Sequence, residues 1–314
     1  MNPIKNILLW ASENETLRRH VSKWGFVKRA LRQFMPGETF DDALNAAHQL
    51  KDQGLLTTFS ELGEHLVDIS EADAVVDHYL SVYDRSAAEG LVSEVSLKLT
   101  HLGLDLEVER CAKHLDRLAA KAEEHNTWLW IDMESSEYVD TTLDLYHQVM
   151  ANHSNVGICL QAYLHRTPAD VESLLPLKPG IRLVKGAYKE PASVVVRGKK
   201  AVDHAYFTVA AKLLTAARDG EVRLGLGTHD VHLIEKLDVV ATTADVPRAS
   251  YEIQMLYGIR TADQLRLAGD GHRVRTVIGY GEAWYPWYLR RLAEKPGNLW
   301  FVLRNVFGQP PTAD

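Results

Sequence analysis

After Gly54 the sequence settles into eight short apolar runs, each followed by a stretch long enough for a helix. The runs cover residues 55–59, 92–99, 128–132, 156–163, 181–184, 222–226, 251–255 and 274–278. Between them lie amphipathic stretches such as 105–124, 138–151, 201–218 and 231–241. Strand-sized and helix-sized segments in alternation are the mark of βα units, which build a parallel sheet. Strands in such a sheet are covered on both faces and should read as continuous apolar runs. Val156-Gly-Ile-Cys-Leu and Trp128-Leu-Trp-Ile read that way. Eight units point to an α/β protein closed into a (β/α)8 barrel; an open doubly wound sheet is the competitor.

Residues 1–52 read differently. Leu17, Val21, Trp24, Val27, Leu31 and Phe34 recur every three or four residues, which is one face of a helix. Asp41 to Leu50 carries a second helical pattern, ended by Gly54. No Gly/Pro/Ser-rich linker divides the chain. The expected organisation is an N-terminal helical segment over 1–52, the barrel over 53–298 and a tail over 299–314. The tail closes in GQPPTAD, which should fray.

Composition narrows the partners. With 314 residues, 46% hydrophobic and 25% charged, the chain has material for one large core. The net charge of -7, with no long basic stretch, argues against nucleic acid as a partner. Two cysteines, Cys111 and Cys159, make no disulfide framework, so a reducing compartment and a cytoplasmic location are expected. The apolar run 7–10 is too short for a signal segment, and no run of about 18 apolar residues could span a bilayer. Composition does not speak to peripheral contact with a membrane.

In a barrel of this class, chemistry sits where the strands end. The runs there deliver Lys98 in SLKLT, Asp132 and Glu134 in IDMESS, Gln161 in CLQAY and Arg182 and Lys185 in IRLVKGAY. They continue with Thr228 and His229 in GLGTHD and with Glu252 and Gln254 in YEIQM. Each alone has a plain explanation. Lys98 could snorkel to solvent, Asp132 could cap a helix, Gln161 could satisfy backbone, and a lone His229 is more often structural. Together they ask for more, because buried charges need one another or a charged ligand.

Three chemistries fit such a mouth. Lys185 or Lys98 could form a Schiff base, as in a lyase or aldolase. His229, Asp132 and Lys98 could hold a metal, although no His-x-His opens the barrel and TTFSE offers no ligands. Or the mouth could cradle a flavin beside Arg and Lys side chains. The segment WYPWYLRRLAEKPGN adds Arg290 and Arg291 with Glu294 close behind. On an exposed helix they would be an ordinary surface pair with a weak i,i+4 partner. The aromatic residues Trp284, Tyr285, Trp287 and Tyr288 instead argue for burial. A buried pair of guanidinium forks suits a carboxylate.

These stretches together resemble the proline dehydrogenase family. SLKLT, WLWIDMESS, ICLQAY, IRLVKGAY, GTHD, YEIQM and WYPWYLRRLAEKPGN follow the family's order over about two-thirds of the chain. IRLVKGAY and the RRxxE helix are its specific elements. The resemblance implies a distorted (β/α)8 barrel with noncovalent FAD, oxidising L-proline to pyrroline-5-carboxylate and passing electrons to a quinone or other acceptor. It implies that Arg182 touches the flavin near N5 and that Gln161 and Met133 meet its ring. Lys185, Gly186, Ala187, Thr228 and His229 are implied as further cofactor contacts. Arg290 and Arg291, with Lys98, would grip the substrate carboxylate. Glu294 would pair with one of the arginines, and Asp132 would organise Lys98 and the arginines.

The chain departs from the family pattern at two pocket positions. Val277 stands where an eighth-strand tyrosine is usual, and Trp287 stands where a tyrosine precedes the arginine pair by three residues. Both departures fall on the substrate pocket. The expected substrate is therefore proline or a close relative, such as a hydroxylated or substituted proline. The expected location is the cytoplasm, with peripheral contact to the inner membrane left open.

Overall fold

The computed structural model describes residues 33–284. The helix expected over 17–34 therefore lies almost wholly outside the described residues, as does everything after Trp284. Eight parallel strands close in sequence order into one barrel. They are β1 (Leu56–Glu61), β2 (Glu94–Leu97), β3 (Leu129–Ile131), β4 (Val156–Gln161), β5 (Gly180–Val184), β6 (Arg223–Gly227), β7 (Tyr251–Leu256) and β8 (Arg273–Tyr280). Before β1 runs α1 (Phe40–Asp52). Between successive strands come α2 (Ile69–Ala88), α3 (Val108–Glu124), α4 (Val139–Met150), α5 (Thr167–Leu174), α6 (Lys199–Arg218), α7 (Val231–Thr243) and α8 (Thr261–Gly269). The barrel expected from the alternation of runs is present, and each of the eight runs holds a strand.

Local chemistry sets the helix starts. Thr39 caps α1 through a reciprocal pair in which the Asp42 N–H donates to Thr39 Oγ1 (3.2 Å) and the Thr39 N–H donates to Asp42 Oδ2 (3.1 Å). Asp68 caps α2 by accepting the Ser70 N–H at 2.8 Å. α1 packs its buried face (Phe40, Ala43, Leu44, Ala47, Leu50) across β1 and β8. Phe40 meets Phe59 and Tyr280 with ring centroids 5.1 and 5.5 Å apart. A helix that precedes β1 thus covers a slot which, in a regular barrel, belongs to the helix after β8. No helix among the described residues is long and apolar enough to cross a membrane.

Register separates the two faces of the barrel wall. Thr58 pairs with Glu94 and Val277, Ser96 with Trp130, Cys159 with Arg182, Gly225 with Glu252, and Gln254 with Arg275. Paired residues share a face, and every second residue along a strand returns to it. The outward face is apolar (Phe59, Val95, Leu97, Ile131, Ile158, Leu183, Leu226, Ile253, Ile278) and buried under the helices. The inward face carries Thr58, Glu94, Ser96, Arg182, Glu252, Gln254 and Arg275, all buried, beside Trp130, Cys159 and Val277. Strands apolar on both faces were expected, and a barrel lumen is usually filled by branched aliphatic side chains. Here the apolar core sits outside the wall and the lumen carries charge.

Candidate functional site

Arg182 stands at the centre of the lumen. Its position on β5 turns it inward, and it is 5% exposed. Its Nε donates to Gln254 Oε1 at 2.6 Å. Its Nη1 donates to Ser96 Oγ at 2.7 Å and to Asp132 Oδ1 at 2.9 Å. The guanidinium lies over the Trp130 ring, 4.7 Å from its centroid. Nη2 is buried and has no hydrogen-bond partner among the described residues.

Asp132 follows β3 directly, and its Oδ1 also accepts the Ser96 hydroxyl at 2.8 Å. It therefore organises Arg182; among the described residues it makes no ion pair with Lys98. Lys98 follows β2 on the lumen side, half-buried, and makes no ion pair among the described residues. Its charge is felt nearby. Burial first, and then the Lys98 ammonium, push the His101 pKa down to about 4. Burial raises the pKa of Glu134, while its bonds from Thr100 Oγ1 (2.6 Å) and Thr100 N (3.1 Å) and the Lys98 charge pull the other way.

The remaining expected cofactor contacts divide into two groups. Gln161, the last residue of β4, gives its amide N–H to the Glu134 carbonyl (2.8 Å) and accepts the Ala187 N–H (3.4 Å). It thus joins the loops after β3 and β5. Met133 is buried beside Asp132. Gly186 has φ +115, and a Cβ there would fall 2.2 Å from the Tyr163 ring, so only glycine fits this bend. Lys185 and His229 are each tied to neighbouring elements. Lys185 Nζ is held by Asp203 Oδ1 (2.5 Å) on α6 and by Asp230 Oδ2 (2.8 Å) at the start of α7, on the helix side of the wall. That turns it away from the lumen, where a Schiff-base lysine would have to stand. His229 Nε2 accepts the Leu256 N–H at 2.9 Å and ties the end of β6 to the end of β7. Thr228 Oγ1 accepts the Asp230 N–H at 3.2 Å. Val277 is a half-buried lumen residue on β8. Trp287, Arg290, Arg291 and Glu294 lie outside the described residues.

Three positions differ from what the sequence led one to expect. Glu252 is the second residue of β7, so it stands at the floor of the barrel and not at its mouth. Ser96 and Trp130, which hold and underlie Arg182, went unremarked. Their signal was spacing: Glu94, Ser96 and Lys98 alternate with Val95 and Leu97, and Trp128, Trp130 and Asp132 repeat the pattern.

A closed parallel barrel whose buried arginine is held by a half-buried carboxylate where the strands end is an α/β barrel with its polar groups gathered toward the mouth. Comparison with known proteins then places it. The family model "Proline dehydrogenase" matches residues 43–304, so the chain belongs to the proline dehydrogenase family. It is 34% identical to "Proline dehydrogenase 1" of Bacillus subtilis (strain 168) over 96% of this chain and 99% of that protein. It is 32% identical to "Proline dehydrogenase" of Deinococcus radiodurans over 90% of each. In fold it is similar to proline utilization A (PutA) from Bdellovibrio bacteriovorus inactivated by N-propargylglycine, with a TM-score of 0.81 and 22% identity. That match covers 97% of this chain and 38% of the larger protein.

Proposed function

We propose that the chain oxidises L-proline, or a close relative of it, to the pyrroline-5-carboxylate-type imine at the open end of the barrel. FAD is the noncovalent cofactor, and a quinone or another acceptor takes the electrons. The observation that carries this reading is Arg182 Nη2, an NH2 group withdrawn from water and left without a partner among the described residues. Leaving such a group unbonded costs about 1–3 kcal/mol, which an acceptor atom of a bound ligand would remove. Arg182 is otherwise clamped on two edges, so this donor is fixed in place and fits an acceptor on a planar ring.

When bound, the flavin supplies the acceptor for the hydride that leaves the carbon next to the proline nitrogen. The protein supplies binding and orientation. Arg182 presents its remaining N–H and its charge, with Asp132 and Ser96 holding it from one edge and Gln254 from the other. Gln161 fixes the loop of Lys185, Gly186 and Ala187 against the mouth, and Met133, Thr228 and His229 complete the lining for the cofactor. Lys98 has a charge free for a substrate carboxylate. Arg290 and Arg291 complete that clamp, with Glu294 beside them and Val277 and Trp287 shaping the pocket around the ring. Gripping the carboxylate fixes the substrate for transfer and is the orientation contribution. The same reading keeps the protein in the cytoplasm, where peripheral contact with the inner membrane would bring it to a quinone acceptor.

The test is direct. The purified protein should be yellow, release FAD on denaturation and bleach anaerobically when proline or a proline analogue is added. A colourless protein that takes up no FAD on reconstitution would overturn the proposal.

A further inference from the structure

Below Arg182 the lumen holds a set of charges that the proposed reaction does not use. The Glu252 carboxylate accepts Arg275 Nε at 2.7 Å, Arg273 Nη2 at 2.9 Å and Arg223 Nη2 at 3.2 Å. Glu94 forms ion pairs with Arg275, whose Nη2 is 3.0 Å away, and with Arg223, and takes the Trp130 indole N–H at 2.6 Å. Burial alone would raise the pKa of Glu252, but the Arg275, Arg223 and Arg273 guanidiniums together hold it well below the usual range.

Two arms rise from this set to Arg182. In one, Gln254 Nε2 donates to Glu252 Oε2 (3.3 Å) while Gln254 Oε1 accepts Arg182 Nε (2.6 Å). In the other, Trp130 lies against the Arg182 guanidinium with its N–H fixed on Glu94. Neighbouring strands leave room for both. A Cβ on Gly225 would fall 2.6 Å from Gln254 Nε2, and one on Gly157 would fall 2.4 Å from the Trp130 ring.

We propose that Glu252 is a positioning residue for the reaction. It dictates which end of the Gln254 amide faces Arg182, and so aims the remaining Arg182 N–H into the mouth. An ionised carboxylate only accepts hydrogen bonds, so the Gln254 NH2 must turn toward it. The Gln254 oxygen is then left to face Arg182 Nε. With the amide reversed, two donors would confront each other and Arg182 would have to move. This inference rests on the flavin reading above and extends it to a residue below the site.

Glu252→Gln tests it, because a glutamine can present either a donor or an acceptor to Gln254. Flavin content and the KM for proline should hold near wild type. The kcat should fall by roughly ten-fold or more, the worth of one charge-assisted hydrogen bond. The midpoint potential of the bound flavin should become more negative as the Arg182 charge loses its fixed place. Gln254→Leu, which leaves the ion set whole, should show the same pattern. The double variant should be no slower than Gln254→Leu alone. Wild-type kcat and potential in Glu252→Gln, or losses that multiply in the double variant, would overturn the inference. Where Glu252→Gln does not fold, Gln254→Leu carries the test alone, and wild-type kcat and flavin potential in that variant would overturn the inference. A wild-type protein that binds no flavin sinks the reading of the reaction instead, so the two failures are distinguishable.

Discussion

The floor and the mouth of this barrel use the same kinds of side chain to opposite ends. At the floor, Glu94 and Glu252 are shared among Arg223, Arg273 and Arg275, so each cation meets a carboxylate of the chain itself. The floor N–H that finds no oxygen, Arg223 Nη1, belongs to a guanidinium lying 4.4 Å from the Trp128 centroid. At the mouth, Arg182 keeps a donor unused and Lys98 has no ion pair among the described residues. Buried charge is tolerated when paired and is costly when not. The floor is therefore arranged to be stable and the mouth to be completed by something else.

The largest expected effect breaks the floor. Arg275→Met removes a guanidinium that bridges both floor carboxylates and leaves Glu94 and Glu252 under-compensated in a buried place. Breaking a buried pair from one side costs about 3–5 kcal/mol, so chemical denaturation should show a loss of that order. If the floor were loosely solvated, the loss would stay under about 1 kcal/mol.

Breaking the mouth should spare stability and cost catalysis. Arg182→Met should lower kcat by about 10²–10³-fold, the range for removing one preorganised donor at a reacting centre, while the protein remains folded. A kcat within a few-fold of wild type would remove Arg182 from the chemistry. The carboxylate clamp is read through KM. Replacing either Arg290 or Arg291 by Met should raise the KM for proline by roughly thirty-fold, equivalent to about 2 kcal/mol, with flavin content intact. Wild-type KM in both variants would refute the clamp.

The contrast between floor and mouth was only half legible in the sequence. The strands could be found because their outward residues are apolar, and Lys98, Asp132, Gln161 and Arg182 stood out as polar groups in or after those runs. Arg275 did not, because either arginine of RVRTVI resembles an edge-strand charge until the opposite wall is known to bring Glu94 and Glu252 to it. His229 was legible as a residue but not as a contact, since its partner is the backbone of the adjacent strand. Pairings across the lumen depend on barrel closure and stagger, which no single strand encodes.

The smallest prediction sharpens the comparison from outside the lumen. Glu61 ends β1 with its side chain on the helix side of the wall, half-buried beside His78, Tyr79 and Tyr280. Its Oε2 has no hydrogen-bond partner, and His78 Nε2 is 4.0 Å from Oε1. Burial raises its pKa from 4.5 to about 7. An unfolded chain would ionise it near 4.5, so between there and about 7 the folded state holds the extra proton and stability must fall as pH rises. Above about 7 the penalty is constant. His78, whose own pKa is lowered by burial and then by Arg85, adds a slope of the opposite sign below its ordinary 6.5. That slope is common to the wild type and to Glu61→Gln, so the difference between the two isolates the carboxyl. Glu61→Gln should gain about 1–2 kcal/mol at pH 8 relative to wild type and gain nothing at pH 4.5, with kcat unchanged. Parallel stability curves for the two proteins across that range would mean that the carboxyl is already hydrated, and that an unmatched charge in this fold need not signal a ligand.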